Sequence, residues 1–122
     1  MSWRVEFHPD FAGEFHGLDS EAQVETLALI ELLKALGPRV KRPHADTLSG
    51  SKHKNMKELR FTASGGAWRV AYAFDPARKA ILLVAGDKSG VSQHRFYEAL
   101  IAKADKRMDE HLRYLRDSEL TT

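Results

Sequence analysis

The 122-residue sequence has no cysteine, only 4 prolines and no apolar run long enough to cross a membrane. The lack of cysteine excludes disulfides and thiolate metal sites, so apolar packing must hold the fold together. The first residues also lack the basic stretch and apolar run of a secretory signal. We therefore expect a cytoplasmic protein that has no membrane partner.

Familiar catalytic motifs are also lacking. The sequence contains no Walker loop, dinucleotide-binding glycine motif, zinc-ligand spacing or nucleophile elbow. Its six histidines are scattered, and His44 and His53 lie among Lys and Arg residues that would repel a divalent cation. We therefore predict neither a metal site nor a cofactor.

The composition is that of an ordinary folded chain, with 43% hydrophobic and 30% charged residues. Its length is enough for one hydrophobic core and too short for two typical domains. No internal repeat or linker-like segment interrupts it. We predict a single domain over residues 1–122.

The first elements follow from the spacing of apolar residues. Apolar and polar residues alternate over 3–7, which predicts a short, half-buried strand. Phe11 and Phe15 lie four residues apart, as expected for neighbours on one face of a short helix. The chain should therefore open with a strand followed directly by a helix.

A longer helix and a loop should follow. Ser20 and Gln23 have the spacing of a capping box, which predicts a helix over 21–36 that is apolar around more than half its circumference. Residues 39–57 show no periodicity and are predicted to form a long loop. Leu48 is the residue expected to anchor that loop to the core.

The second half of the chain predicts three antiparallel strands and a final helix. The strands are expected within residues 51–90, and Arg69 shares its face of the middle strand with two alanines, which predicts a shallow, basic surface. A helix should follow over about 92–116, with a frayed tail after about residue 117. The fold class is therefore α+β, with an N-terminal strand, a helical hairpin, a three-stranded meander that completes one sheet, and a C-terminal helix.

Positive charge is concentrated in one part of the chain. Residues 1–38 carry seven acidic and two basic residues, whereas residues 39–60 carry seven Lys or Arg residues and two acidic ones. Such a segregated pattern favours a polyanionic partner such as a nucleic acid. The alternative is that the cations belong to a solvated loop.

The candidate site is a group of cations around the predicted strands. These are Lys52, Lys54, Lys57, Arg60, Arg69 and Lys88. Arginine is suited to forked contacts with phosphate, and a bulky charge in mid-strand, as at Arg69, needs a partner or a ligand. Two alternatives stay open: Arg60 could pair with Glu58 or with an acid of the first helices, and the loop lysines could simply be solvated.

Cations alone make an incomplete nuclease. RNA cleavage needs a base for the 2′-hydroxyl, stabilisation of charge on the phosphate, and a proton for the leaving oxygen. Lysine and arginine supply the second function well and the other two poorly. The residues alone therefore predict phosphate binding rather than catalysis.

Several short motifs occur in an order that resembles a known family. KELRF is followed by a glycine turn, WRVAYAF, a short turn and ILLVAGDKSG before a helix. This arrangement resembles the RelE/ParE toxin superfamily, and within it the HigB-like, phage-derived Gp49-like branch. The likeness covers most of the chain.

The resemblance implies a ribosome-dependent, metal-independent mRNA endonuclease. Arg60 and Arg69 match the family's arginines on two successive strands, and Lys57 and Lys88 complete the catalytic set. Lys54 and Lys57 lie where the nuclease members place basic residues before the ELR strand, and Lys52 is expected to bind RNA with them. His94 and Tyr97 are the candidates for the acid or base.

The resemblance also implies a partner, and it leaves two other functions open. The implied partner is a cognate antitoxin with a helix-turn-helix, through which the toxin would reach operator DNA. The alternatives are a ParE-like toxin that acts on gyrase, and a non-catalytic nucleic-acid-binding module that regulates its operon. The basic residues in and before the ELR strand favour the nuclease.

Overall fold

A computed structural model describes residues 2–120, which form a five-stranded mixed sheet with helices on both faces. The elements are β1 (Arg4–Phe7), α1 (Pro9–Phe15), α2 (Ser20–Leu36), a 3₁₀ turn (Gly37–Arg39), β2 (Ala45–Thr47), β3 (Lys57–Ala63), β4 (Gly66–Phe74), β5 (Lys79–Asp87) and α3 (Gln93–Leu120). The sheet order is β1-β5-β4-β3-β2, with β1 parallel to β5 and the other pairs antiparallel. The predicted α+β fold class is confirmed. No helix among the described residues is long and apolar enough to span a membrane.

Helix α2 begins one residue earlier than predicted. Asp19 is its N-cap, because its carboxylate accepts a hydrogen bond from the Ala22 amide at 2.8 Å. Gln23 instead donates to the carbonyls of Phe15 and His16, which ties α2 to the end of α1. The predicted Ser20–Gln23 capping box is therefore wrong.

The face of the sheet covered by α1 and α2 has an aliphatic and aromatic core. Its buried members include Phe11, Leu29, Leu33, Leu59, Val70, Tyr72 and Leu82. Phe11 and Phe15 pack together as predicted, with ring centroids 6.2 Å apart. The outer side of α2 leaves Val24 and Leu27 exposed.

The opposite face of the sheet is covered by α3. Phe96, Leu100, Ala104 and Met108 of the helix pack on a buried cluster that includes the β4 alanines. Gly86 allows this approach, because a Cβ there would lie 2.9 Å from the Phe96 ring. The prediction of a shallow, open face is therefore wrong: the small residues make room for a helix rather than for a ligand.

The segment predicted as a loop contains a strand. Asp46 of β2 pairs with Glu58 of β3, so β2 forms the edge of the sheet. Leu48 is buried and anchors the segment, as predicted. Three residues are too few to show a strand period, which is why the sequence did not reveal β2.

The C-terminal helix extends beyond its predicted end near residue 116. It continues to Leu120, and Ser92 accepts the Arg95 amide at its start. Residues 121–122, which the predicted domain and its frayed tail include, lie outside the described residues. The fraying of the tail stays a prediction.

Candidate nucleic-acid interface

A cleft of about 890 Å³ lies between the first turns of α3 and the edge of the sheet formed by β2 and β3. Glu58, Arg60 and Tyr97 line it together with the turn at Ser49–Gly50, which faces the α3 side. The other lining residues are Arg42, Thr47, Leu48, Lys88, Gln93, His94, Glu98, Ile101 and Ala102. The cleft therefore has both charged and apolar walls.

Strand alternation decides which β3 side chains reach the cleft. Glu58 and Arg60 share one face of the strand, and Lys57 and Leu59 share the other. Leu59 belongs to the core beneath α2, so Lys57 lies on the side of the sheet away from α3. The structure therefore separates Lys57 from the residues with which it was predicted to act.

Two arginines are direct cross-strand neighbours on the α3 face. Arg60 of β3 is paired in register with Arg69 of β4. Like charges placed opposite one another destabilise a sheet unless an anion compensates them. Glu58 is that anion: it is only 4% exposed and lies beside both guanidinium groups.

The buried carboxylate uses both of its oxygens. Arg60 Nη1 donates to Glu58 Oε2 at 2.7 Å, and the Tyr97 hydroxyl donates to Glu58 Oε1 at 2.8 Å. Arg69 Nε donates to the Tyr97 hydroxyl oxygen at 3.2 Å and lies 3.8 Å from Glu58 Oε1. Four side chains from β3, β4 and α3 thus form one network at the cleft floor.

Tyr97 is held in its neutral form by this environment. Burial and the hydrogen bond to Glu58 raise the pKa of the Tyr97 hydroxyl, and the hydrogen bond from Arg69 opposes them in part. The hydroxyl therefore loses its proton less readily than that of an ordinary tyrosine, and it directs that proton to Glu58.

Two further predicted site residues, His94 and Lys88, also line the cleft. His94 lines the rim, and its side chain is 88% exposed beside Glu98. Lys88 lies at the end of β5 and also lines the cleft. Arg60, Lys88, His94 and Tyr97 are therefore the predicted residues that the structure brings together.

Arg69 has a different position from the one predicted for it. It is 6% exposed and does not line the cleft as the structure describes it. Its Nη1 donates to the Trp68 carbonyl at 2.8 Å, and its Nε supports Tyr97. The sequence predicts that Arg69 contacts a phosphate directly. In the structure Arg69 instead supports Tyr97, which does line the cleft.

The loop that contains Ser51, Lys52 and His53 is held against α3 by acidic residues of that helix. Ser51 Oγ donates to Asp105 at 2.5 Å, Lys52 forms an ion pair with Asp109, and His53 lies 2.9 Å from the same carboxylate. These contacts lower the pKa of Asp109, chiefly through its hydrogen bond with Lys52. Lys52 is therefore already paired, which departs from its predicted role in RNA binding.

Lys54 also lies apart from the network. Lys54 is exposed, and it is not among the described residues that line the cleft. The sequence placed Lys52, Lys54 and Lys57 with Arg60 because they are close along the chain. The loop docking and the strand alternation separate them in space.

One group of side chains has the spacing of metal ligands. Donor atoms of His8, Asp10 and Glu110 lie within 4.8 Å of one another. Both ring nitrogens of His8 are occupied, one by the Asp10 amide and the other by Glu110, and Arg107 lies 3.9 Å from Asp10. A cation would have to displace a hydrogen bond next to an arginine, so the donor set fits a metal poorly.

The importance of Glu58 is not evident from the sequence. The sequence indicates Glu58 only as one possible partner of Arg60, and the structure does form that pair. The alternation of Glu58 and Arg60 along β3 was a usable signal, because it places both side chains on one face. The contact with Tyr97 spans 39 positions in sequence and gave no local signal.

Comparison with known proteins identifies the family. Residues 13–109 match the family described as Phage derived protein Gp49-like (DUF891). The putative toxin HigB2 of Mycobacterium tuberculosis is 44% identical over 105 residues, which cover 85% of this chain and 52% of HigB2. The chain thus spans about half the length of that relative. The putative toxin HigB3 of the same organism is 42% identical over 98 residues, which cover 80% of this chain and 83% of HigB3.

Two solved structures share the fold at low sequence identity. A mutant of the E. coli toxin RelE in the free state superposes with a TM-score of 0.60 at 13% identity and covers 84% of this chain and 97% of its own. The archaeal RelE–RelB complex from Pyrococcus horikoshii gives a TM-score of 0.53 at 17% identity, with coverages of 75% and 100%. The chain belongs to the Gp49-like family, has relatives named as HigB toxins, and has the RelE fold.

Proposed function

We propose that this chain is the toxin of a type II toxin–antitoxin system and that it cleaves mRNA on the ribosome. The observation that carries the proposal is the cleft, in which Arg60, Lys88 and Tyr97 line one space beside the buried Glu58. The names of the two relatives support the assignment as a toxin. The mixture of cations with a neutral hydroxyl supports phosphate chemistry.

Each lining residue has a chemical role in this proposal. Arg60 and Lys88 bind the scissile phosphate and stabilise the charge that develops on it. Tyr97 or His94 takes part in proton transfer at the attacking and leaving oxygens. Lys52, Lys54 and Lys57 contribute at most to the general attraction of RNA, because they lie outside the cleft. The reaction, as proposed, proceeds without a metal ion.

The proposed partners are translating ribosomes and a cognate antitoxin. One structural neighbour is a RelE–RelB complex, which supports a protein partner for this fold. We propose a helix-turn-helix antitoxin, through which the toxin would reach operator DNA. Co-expression with a cognate antitoxin should yield a stable complex and restore growth.

A ParE-like action on gyrase is the second candidate function. It is favoured only by the shared superfamily, whereas the cationic cleft favours a polynucleotide substrate. A non-catalytic regulatory module would share the fold and the RNA affinity but would not cleave. The three functions therefore predict different first effects in a cell, namely arrest of translation, arrest of DNA replication, or neither.

Tightly controlled expression distinguishes them. We expect translation to stop before DNA replication, with new mRNA 5′ ends that map within translated codons on ribosomes. The matched control is the Arg60→Ala variant at equal soluble yield, which should produce far fewer of these ends. Arrested replication with intact mRNA would instead favour gyrase as the target, and growth without either effect would favour the regulatory module.

A further inference from the structure

We propose that Glu58 is the positioning residue of the cleft, which fixes the Tyr97 hydroxyl and the Arg60 guanidinium in the directions that bound RNA requires. The inference rests on the proposed nuclease function and deepens it. Glu58 is not proposed to touch the RNA, because both of its oxygens are already occupied by side chains.

The first argument comes from the cost of burying this carboxylate. Burial of a charge is unfavourable unless the charge is paired and hydrogen-bonded, and apolar residues would hold α3 on the sheet at least as well. Glu58 is 4% exposed, and its partners are Arg60, Tyr97 and, less closely, Arg69. A costly buried charge whose two hydrogen-bond partners line a cleft is better explained by organisation of that cleft than by stability.

The second argument comes from the other polar contacts that attach α3. Asp75 pairs with His111 at 2.8 Å, and Arg107 pairs with Glu14 at 2.5 Å. None of these four residues lines the cleft as the structure describes it. These two pairs therefore already attach α3 to the rest of the protein. Glu58 differs from them because its hydrogen-bond partners, Arg60 and Tyr97, line the cleft.

The third argument concerns the Tyr97 hydroxyl. Its proton is directed to Glu58 and one lone pair accepts from Arg69 Nε, which leaves the second lone pair for a hydrogen bond from bound RNA. Without Glu58 the hydroxyl proton could point elsewhere. Fixing its direction in advance reduces the reorganisation that the reaction would otherwise need.

A first test is independent of any nuclease activity. Each of the three tyrosines can be followed by NMR of ring-labelled protein and assigned with single Tyr→Phe variants. Glu58→Gln keeps the shape but removes the negative charge, so we expect the pKa of Tyr97 to fall. The matched control is Asp75→Asn, which removes another buried carboxylate from a contact with α3 and should leave the Tyr97 pKa unchanged. An unchanged Tyr97 pKa in Glu58→Gln would overturn the proposal.

A second test measures single-turnover cleavage of mRNA on programmed ribosomes. We expect Glu58→Gln to slow cleavage by about 10- to 100-fold, because misplacement of reacting groups by about 1 Å costs up to that much. Asp75→Asn should cleave at the wild-type rate below its unfolding temperature. Equal losses in both variants would assign Glu58 a purely structural role and overturn the proposal.

A double-mutant cycle connects Glu58 with Tyr97. If Glu58 acts through the hydroxyl, Glu58→Gln should slow cleavage less in a Tyr97→Phe background than in the wild type. Fully additive losses would contradict the proposal. If Glu58→Gln does not fold, Glu58→Asp replaces it, since it keeps the charge but withdraws the carboxylate by one methylene. Wild-type cleavage and an unchanged Tyr97 pKa in Glu58→Asp would likewise overturn it.

Failure of the proposed function gives a different result. If the wild-type chain does not cleave mRNA, the nuclease function is wrong and Glu58 cannot position groups for it. The Tyr97 titration then still decides whether Glu58 holds the hydroxyl. The two failures are therefore distinguishable.

Discussion

The two faces of the sheet are built from different kinds of residue. Beneath α2 the core is aliphatic and aromatic; its buried hydroxyls are that of Thr26, which bonds to its own helix, and that of Tyr72, which has no hydrogen-bond partner among the described residues. The buried Asp, Glu, His and Arg residues in 2–120, by contrast, all belong to α3 or bond to it; these residues are His8, Glu58, Arg69, Asp75 and Arg107. The α2 face is built as a hydrophobic core, and the α3 face carries the charges.

This difference indicates where function is placed. Apolar contacts are non-directional, so the α2 face can stabilise the sheet without fixing any one side chain. Hydrogen-bonded charges fix directions but stabilise little in net terms. The charges of the α3 face therefore fix side-chain directions and add little net stability. Substitutions on the α2 face should lower stability alone, whereas substitutions in the network of the α3 face should also slow cleavage.

The largest effect is expected for Arg69→Ala. Removing the guanidinium takes support from Tyr97 and a positive charge from beside Glu58, so we expect misplacement of the Tyr97 hydroxyl to slow cleavage by about 100-fold. Glu58 keeps its ion pair with Arg60, so the cost in unfolding free energy should be about 1–3 kcal/mol, as for buried polar groups that lose one partner. If Arg69 lay on an open basic surface, as the sequence predicts, Arg69→Ala would leave the unfolding free energy unchanged. Urea unfolding and single-turnover cleavage measure the two effects.

The control for Arg69→Ala is Arg107→Ala. Arg107 is also a buried arginine on the α3 face, bonded to Glu14 and to the Leu83 carbonyl, and it does not line the cleft in the described part of the chain. It should lose comparable stability while its folded fraction cleaves normally. Equal loss of cleavage in both variants would mean that the whole face acts through stability alone.

The next effect compares two cations on opposite faces of β3. Arg60→Ala should reduce cleavage by about 10- to 100-fold, because a charge-assisted hydrogen bond contributes roughly 1.5–3 kcal/mol. Lys57→Ala should leave cleavage almost unchanged, since Lys57 lies on the α2 side of the sheet. Both variants lose one positive charge, so they match in overall electrostatics. Similar losses would show that net charge matters more than the cleft.

The α2 face should respond in stability alone. Leu33 is fully buried in its core, and Leu33→Ala should cost about 2–5 kcal/mol of unfolding free energy. The folded fraction should cleave at the wild-type rate, because none of the described residues that line the cleft belongs to this core. Thermal unfolding measured beside single-turnover cleavage at low temperature tests this separation. Loss of activity in fully folded Leu33→Ala would mean that the two faces are coupled.

The sequence was a good guide to local structure and a poor guide to long-range contacts. Alternating residues in β3 and β4 and the four-residue spacing of Phe11 and Phe15 carry their own periodicity, so these elements were predictable. The same alternation could have excluded Lys57, which shares its face with Leu59. The docking of Lys52 on Asp109 could not be predicted, because it depends on how α3 crosses the sheet.

The candidate site was predictable in part for the same reason. Arg60 and Lys88 were found because cations on strands and their ends are visible in sequence. Burial of Arg69 was missed, because two neighbouring alanines indicate equally a ligand pocket or a packed helix. Only the position of α3 decides between these two readings.

The smallest expected effect is a pH dependence that only the α3 face should show. The hydrogen bond from Arg107 is the main cause that lowers the pKa of Glu14 below its ordinary value of 4.5. Above about pH 4.5 the carboxyl is ionised in both the folded and the unfolded chain, so the ion pair contributes its full stability. As the pH falls through the lower, folded-state pKa, Glu14 takes up a proton and that contribution is lost. The difference in unfolding free energy between the wild type and Glu14→Gln should therefore be constant above this pH and shrink below it.

The control for this pH dependence lies on the other face. Leu33→Ala changes no titratable group, so its difference from the wild type should stay flat over the same series of urea unfolding curves between about pH 3 and pH 7. The Glu14 effect should be modest and weakened by added salt, because the Glu14 side chain is 44% exposed. A difference for Glu14→Gln that grows on acidification would mean that Arg107 does not stabilise the ionised carboxyl. A flat difference would mean that the ion pair contributes no stability that depends on the charge of Glu14.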